Sequence, residues 1–287
     1  MVEISLKSSD LIYLSVSLFE VVNPKGVIQI IPGFKEHKER YYDFVNYLNA
    51  NNFNVIISDI RGHGKSISGN YKLGYVDDYE KLIEDQNILM EYVKNRYSNL
   101  PLYLIGDSIG ANILLSLIQK YDNKLNKVIL CSPVYYKSVN TSLKITNLVN
   151  KYFGSYKTSG FLKNTLKLEN LDLLFKDVNA KSIYKNDTLC SFDYYNLSVL
   201  NYLLLNKFNM TGKYQALNKN LPIFFNYGDL DLELSGKNAV NNYISILQKN
   251  GYSNIKFLGY ANMEHKILFE PGKKLIYDEI LKFLNGA

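Results

Sequence analysis

Four short runs, Val27–Ile31, Val55–Ile57, Leu102–Ile105 and Val128–Leu130, are almost wholly apolar and are bounded by turn residues. A strand without polar alternation hides both of its faces, which restricts such a chain to a parallel sheet covered by helices on either side. Helical periodicity fills the intervals as this requires. Tyr41, Phe44, Val45 and Leu48 recur at three- and four-residue spacing, as do Tyr79, Leu82, Ile83, Leu89, Met90 and Val93 behind Asp77, the expected N-cap. Repeated strand–helix–strand units specify an α/β fold, a mostly parallel sheet with helices on both faces. Ahead of them Leu11–Val22 alternates polar and apolar residues, the pattern of a half-exposed strand.

From about residue 134 to 220 the rhythm changes. Clear β runs disappear, Asn, Lys, Tyr and Leu abound, and short helices are expected, for example over Leu143–Tyr152 and Tyr195–Phe208. The alternation then resumes with a strand at Ile223–Tyr227, a helix at Ala239–Lys249, a strand at Ile255–Leu258 and a final helix at Lys273–Leu284. The expected organisation is one core domain, residues 1–133 plus 221–287, interrupted by a helical cap at residues 134–220. A chain of 287 residues is long enough for one large domain with such an insertion.

The formal net charge is +6, but lysines are scattered among aspartates and glutamates. No basic stripe forms, so nucleic acid is not an expected partner. Cys131 and Cys190 are the only cysteines and are expected to be buried thiols rather than part of a disulfide framework. The first ten residues lack a signal peptide's apolar core, and Leu11–Val22 alternates and contains Glu20. The expected location is the cytoplasm, with the periphery of a membrane left open.

Gly106-Asp107-Ser108-Ile109-Gly110 fits G-x-S-x-G. Alone the pattern is only suggestive, and an ordinary strand–helix turn that contains a serine explains it equally well. Its setting strengthens it: Leu102–Ile105 runs into the first glycine, and Ile109–Tyr121 continues as an apolar-periodic helix. A strand–turn–helix places the serine on a sharp elbow where larger neighbours would clash, and exposes its hydroxyl above the carboxyl edge of the sheet. At the helix start, the Ile109 N–H is available to an oxyanion.

A hydroxyl needs a neighbouring base to act as a nucleophile at neutral pH. His37, His63 and His265 all follow strands, so position alone leaves three candidates. Hydrolases built on this elbow place the nucleophile first, the acid second and the histidine last, and only His265 lies beyond Ser108. The acid is expected after Ile223–Tyr227, in Gly228-Asp229-Leu230-Asp231. Asp231 is preferred because the extra residues let the loop reach across, with Asp229 as the fallback and Glu233 behind it.

These segments resemble the monoacylglycerol lipase and lysophospholipase group of the serine-aminopeptidase-like α/β hydrolases, over nearly the whole chain outside the cap. Pro32–Tyr41 is similar to H-G-x-x-E-H-x-x-R-Y, and Asp59–Ser66 matches D-x-R-G-H-G-x-S in full. Gly106–Ala111 resembles G-H-S-M-G-G, Gly228–Asp231 resembles the acid loop G-x-x-D, and His265–Glu270 resembles H-E-I-L-N-E. The resemblance implies the α/β-hydrolase fold, places the acid at Asp231, and gives the second oxyanion donor to the backbone N–H of Phe34. It makes His37 and His63 structural members of their loops that hydrogen-bond backbone; neither has neighbours in metal-ligand spacing.

Three positions depart from the family pattern. Pro32 replaces a histidine, at a position that is not the expected donor. Asp107 replaces the histidine before the nucleophile; directed at the site it would raise the base's pKa or oppose an oxyanion, and the alternative is a side chain directed outward to a partner. Lys266 replaces the glutamate after His265 and is expected at the surface.

The implied reaction is hydrolysis of a carboxylic ester through an acyl-enzyme, with no metal or organic cofactor. Tyr135, Tyr136, Tyr152, Phe153, Phe161, Leu162 and Leu171–Phe175 give the cap an apolar inventory that serves first to hold it together. Such a lid suits an acyl chain, and the resemblance points to monoacylglycerols or lysophospholipids as small-molecule lipid substrates. Transient contact of the cap with a membrane surface fits the same inventory, and no obligate protein partner is expected. Two alternatives remain open. A peptidase of the proline-iminopeptidase type would need cap carboxylates for a free amino group, and Glu169, Asp172, Asp177, Asp187 and Asp193 are available. The other is a non-catalytic binding protein on the same fold.

Overall fold

In chain order the strands are β1 (Val2–Lys7), β2 (Tyr13–Phe19), β3 (Val27–Ile31), β4 (Asn54–Ser58), β5 (Leu102–Asp107), β6 (Lys127–Cys131), β7 (Ile223–Gly228) and β8 (Ile255–Tyr260). They form one sheet in the order β1-β2-β4-β3-β5-β6-β7-β8. β2 runs antiparallel to β1 and β4, and every pairing from β4 to β8 is parallel. The computed structural model describes the chain except Leu11, Ser68, Asn70, Tyr71, residues 166–169, Glu233 and Ala287, and except the side chains of Asn164 and Thr165.

The apolar strands divide their residues between two cores with the expected period of two. Val27 and Ile31 of β3, with Leu102 and Leu104 of β5, join one core. Ile28, Ile30, Tyr103 and Ile105 join the other. The first core is covered by α2 (Tyr79–Arg96), α3 (Ile109–Tyr121) and α9 (Gly236–Lys249), the second by α1 (Tyr42–Ala50) and α10 (Lys273–Asn285).

Between β6 and β7 run α4 (Val139–Phe153), α5 (Gly160–Thr165), α6 (Leu171–Leu174), α7 (Val178–Asn186) and α8 (Asn196–Thr211). α8 is embedded in the first core. Ser116 Oγ donates to Asn209 Oδ1 (2.7 Å), and Asn206 Nδ2 donates to Val134 O (2.6 Å) and to the Tyr243 hydroxyl (2.9 Å). Buried asparagines on a helix face otherwise read as polar explain why its apolar periodicity is weak.

Two local differences from the sequence reading have simple causes. The cap of α2 is Asp78, whose carboxylate accepts the Glu80 amide, one residue after the expected Asp77; Asp77 instead accepts from Lys81 Nζ at 2.8 Å. β1 carries no sequence signal, because it is an edge strand whose residues are mostly exposed and lack an apolar run. Cys131 and Cys190 are both buried free thiols. No helix among the described residues is long and apolar enough to cross a membrane.

Candidate active site

The order of the sheet reverses beside β3, which has β4 on one side and β5 on the other. Loops leaving the carboxyl ends of β3 and β5 therefore diverge and open a crevice, the place where open α/β sheets hold ligands. The residues after β3, β5, β7 and β8 meet there.

β5 ends at Asp107 and α3 begins at Ile109, so Ser108 alone turns the chain, with φ 55° and ψ −121°. This left-handed conformation is strained for a residue with a side chain. The turn is tight enough that a Cβ on Gly106 would lie 2.5 Å from Gly110 O, and one on Gly110 would lie 2.1 Å from Ile31 O. Only glycine fits at either end.

Ser108 Oγ lies 2.7 Å from His265 Nε2, and His265 Nδ1 lies 2.6 Å from Asp231 Oδ2. The second Asp231 oxygen accepts the amides of Leu234 (3.2 Å) and Ser235 (3.0 Å), which fixes the carboxylate. Because a carboxylate only accepts, it holds the imidazole proton on Nδ1 and leaves Nε2 as acceptor for the serine hydroxyl. All three side chains are buried. Asp229 is exposed and its Oδ1 accepts the Asn262 amide at 2.8 Å, so it braces a neighbouring turn. Glu233 lies outside the described residues.

Two backbone amides beside Ser108 are already engaged. Ser108 N donates to Cys131 O (2.8 Å) and Gly33 N donates to the Tyr41 hydroxyl (2.9 Å). The next amide in each loop belongs to Ile109 and Phe34. As the first residue of α3, Ile109 has no intrahelical acceptor for its N–H. Both residues line a cavity of about 40 Å³ with Ser108 and His265, walled further by Val134, Tyr136, Leu174, Tyr184, Tyr194 and Leu234, with Lys266 as its one other charged residue among the described lining.

The chain neighbours of the serine and histidine build a second, charged cluster. Asp107 is fully buried and its Oδ2 accepts from the Tyr41 hydroxyl at 2.7 Å. Lys266 Nζ lies 3.0 Å from Glu36 and 3.5 Å from Asp107, and Glu36 also pairs with Arg40. Burial opposes the Lys266 ammonium, but the Glu36 and Asp107 carboxylates outweigh it and hold its pKa above the ordinary value. For Glu36, burial pushes the carboxyl up while Arg40 and Lys266 more than offset it, leaving the pKa low. The surface position expected for Lys266 is thus incorrect: it is 2% exposed. Asp107 is directed neither at the imidazole nor outward, but inward to Tyr41 and Lys266. The missed signal was present, since two departures from one family pattern carry opposite charges and each sits beside a candidate catalytic residue.

His63 Nδ1 lies 3.1 Å from Arg61 O, and its ring packs 4.9 Å from that of Phe34. Burial depresses its pKa to about 4, so it stays neutral above that pH. His37 differs from the expected backbone contact: its Nε2 lies 2.8 Å from Asp187 Oδ2, which ties the β3 loop to the insertion. Cys190 approaches the same pair, and the ligand atoms of His37, Asp187 and Cys190 all lie within 4.8 Å of one another. Spacing along the chain does not reveal this group because two of its members come from the insertion. Burial raises the Cys190 thiol pKa strongly, which favours the protonated form over the thiolate a metal requires.

Asp59, in the loop after β4, accepts the amides of Lys38 (2.7 Å) and Lys65 (2.8 Å) and so joins two loops of the rim. Its neighbour Arg61 is buried on Asp85 and Asp10. Glu270 likewise holds the insertion, accepting the amides of Lys176 (2.7 Å) and Asp177 (3.2 Å).

The described carboxylates considered for a free amino group are placed elsewhere. Asp172 pairs with Lys181, Asp177 caps α7 through the Ala180 amide, Asp187 holds His37, and Asp193 lies 3.6 Å from Lys163. None lines the Ser108 cavity, and Glu169 lies outside the described residues.

Residues 22–272 match the family described as serine aminopeptidase, S33. A monoacylglycerol lipase of Mycolicibacterium smegmatis is 22% identical over 266 residues, 91% of this chain and 89% of that one. A probable lysophospholipase L2 of Haemophilus influenzae is 30% identical over 97 residues, 34% of this chain and 30% of that one. Among solved structures, a thermostable carboxyl esterase from Bacillus coagulans, in complex with glycerol, superposes with a TM-score of 0.85 at 20% identity, covering 99% of this chain and 98% of that one.

Proposed function

The chain belongs to the serine aminopeptidase, S33, family and has the α/β-hydrolase fold, and on that premise we propose that it is a serine hydrolase cleaving carboxylic esters of monoacyl lipids. The observation that carries the reading is the continuous hydrogen-bonded relay from Ser108 through His265 to Asp231, at 2.7 and 2.6 Å. Ser108 Oγ attacks the ester carbonyl while His265 Nε2 takes its proton, and Asp231 steadies the imidazolium. The Phe34 and Ile109 amides stabilise the oxyanion, each by about 3 kcal/mol in the transition state. Collapse of the intermediate expels the alcohol with the proton held on Nε2. Water, deprotonated by the same nitrogen, then releases the fatty acid from Ser108. The cycle uses no cofactor.

An acyl chain is supported as the substrate by the aromatic and aliphatic wall around Ser108. A cavity of about 40 Å³ is far smaller than the ~300 Å³ or more usual for ligand pockets, so the insertion acts as a lid that moves to admit substrate. Residues 134–220 are this lid, with α8 as its fixed base. Tyr152, Phe153, Tyr156 and Phe161 are exposed on the insertion and support contact between the lid and a membrane surface. Flotation with liposomes tests this; a protein that stays with the soluble fraction contradicts it. The cytoplasm, with recruitment to a membrane periphery, fits these features.

The family description also brings a peptidase into view, but the absence of any described carboxylate from the Ser108 cavity favours the esterase. A panel of p-nitrophenyl esters of increasing acyl length, beside aminoacyl anilides, separates the two. The expected result is turnover of medium and long acyl esters that vanishes in Ser108→Ala. Turnover of the anilides alone contradicts the proposal.

A further inference from the structure

Phe34 carries an amide proposed above as an oxyanion donor, and the loop around it is pinned on both sides. Before it, Gly33 N donates to the Tyr41 hydroxyl at 2.9 Å, and that hydroxyl donates to Asp107 Oδ2 at 2.7 Å. After it, the fully buried Glu36 pairs with Lys266 at 3.0 Å and with Arg40. Lys35, between the pins, is held at φ 56°, a strained conformation that persists only where the surroundings enforce it. Both pins end on one ammonium, since Lys266 Nζ also lies 3.5 Å from Asp107 Oδ2. The Lys266 backbone is fixed in turn, its amide donating to Leu174 O at 2.9 Å.

The same ammonium stands close to the reacting atoms. Lys266 lines the cavity that holds Ser108 and His265. A Cβ on Gly33 would lie 2.8 Å from Lys266 Nζ, 3.2 Å from Ser108 Cβ and 3.3 Å from Asp107 Oδ2, so the three groups surround one point beside the nucleophile. A carboxylate there opposes the negative charge that develops on the substrate oxygen, and an ammonium offsets it. Burial disfavours that ammonium, but Glu36 and Asp107 hold its pKa above the ordinary value, so it stays charged. Asp107 and Lys266 are also the two departures that flank Ser108 and His265, and they compensate each other in charge.

We propose that Lys266 is a positioning residue for the oxyanion hole: its ammonium pins the Phe34 loop through Asp107 and Glu36 and cancels the Asp107 charge beside the nucleophile. The inference rests on the hydrolase reading and deepens it: an aspartate before Ser108 is tolerated because a lysine follows His265. A pinned amide and a cancelled charge act when the carbonyl oxygen becomes an anion, so the contribution falls on kcat and not on KM.

The test measures kcat and KM for p-nitrophenyl butyrate, and the inhibition constant of an alkyl trifluoromethyl ketone, whose carbonyl takes up Ser108 Oγ and forms the same oxyanion. The full chain is compared as wild type, Lys266→Met, Lys266→Met with Asp107→Asn, and Tyr41→Phe. Sucrose in the buffer favours the compact state, and near-ultraviolet circular dichroism quantifies the folded protein. Lys266→Met is expected to lower kcat by about 10²-fold and to weaken the ketone in proportion, with KM within about twofold of wild type. Adding Asp107→Asn removes the uncancelled charge and keeps an acceptor for the Tyr41 hydroxyl, so about tenfold of kcat is expected to return. Tyr41→Phe, which loosens Gly33 without altering charge, is expected to lower kcat by about tenfold. A folded Lys266→Met with wild-type kcat and ketone affinity, a loss that lies in KM, or a loss that Asp107→Asn fails to relieve overturns the inference while the hydrolase reading stands. If Lys266→Met stays unfolded, Tyr41→Phe decides: matched losses in kcat and ketone affinity support the inference, and unchanged values overturn it. If the wild type cleaves no ester and a fluorophosphonate leaves Ser108 unlabelled, the hydrolase reading itself has failed.

Discussion

Ser108 and Asp107 are chain neighbours, as are His265 and Lys266, yet each pair separates into two networks with opposite characters. On one side, serine, histidine and aspartate form a relay with one formal charge and an aromatic wall. On the other, Asp107, Lys266, Glu36 and Arg40 form a buried cluster of four charges that balance. The first network moves a proton; the second holds loops. Tyr41 shows how: its hydroxyl accepts the Gly33 amide and donates to Asp107, so the loop that carries Phe34 is anchored to the residue before the nucleophile. Asp107 lies outside the lining of the Ser108 cavity, whereas Lys266 lines it and reaches from there to Asp107 and Glu36, so the two networks meet at the cavity wall.

The sharpest break between the two sides is kinetic. Ser108→Ala removes the nucleophile and is expected to lower kcat by about 10⁴-fold or more with the fold intact, as judged by circular dichroism and the assay on a long-chain ester. Asp231→Asn follows, at about 10⁴-fold, because an amide permits the wrong imidazole tautomer.

On the support side the expected loss is stability. Lys266→Met leaves Asp107 and Glu36 buried without their shared partner and is expected to cost about 3–5 kcal/mol in urea unfolding. In the double variant Asp107→Asn, Lys266→Met the cost is expected to fall short of the sum by about 1 kcal/mol or more; strict additivity would show the two residues to be uncoupled.

His63 sharpens the contrast from a neutral side chain. Its pKa, about 4 in the fold, lies below the value near 6.5 of an exposed imidazole. The unfolded chain therefore binds the proton first, and stability present above about pH 6.5 is lost as pH falls toward 4, by on the order of 3 kcal/mol. His63→Gln is expected to remove that part of the pH dependence in denaturant titrations between those limits. The smallest effect is expected at Glu270→Gln, which weakens two bonds to the insertion by about 1.5–3 kcal/mol in total and is read as faster limited proteolysis of residues 134–220.

The central strands β3 to β7 are legible because they are buried on both faces and therefore nearly unbroken in apolar character; β6, β7 and α3 lie where periodicity puts them. β1 was not legible, since an exposed edge strand has no hydrophobic signature. The positions of Ser108, His265 and Asp231 could be argued from chain order and one turn pattern. Lys266 could not be placed by residue type, as a lysine is ordinarily a surface residue and its burial depends on Glu36, more than 200 positions earlier. The tie between His37 and Asp187 is illegible for the same reason: it needs the fold of the insertion, whose short helices leave weak periodicity.

The most direct test of the relay is active-site labelling with a fluorophosphonate, followed by mass spectrometry of the labelled peptide. The account predicts phosphonylation at Ser108 in the wild type and almost none in His265→Ala under the same conditions. Labelling at another residue, or equally fast labelling of Ser108 without the histidine, would contradict it.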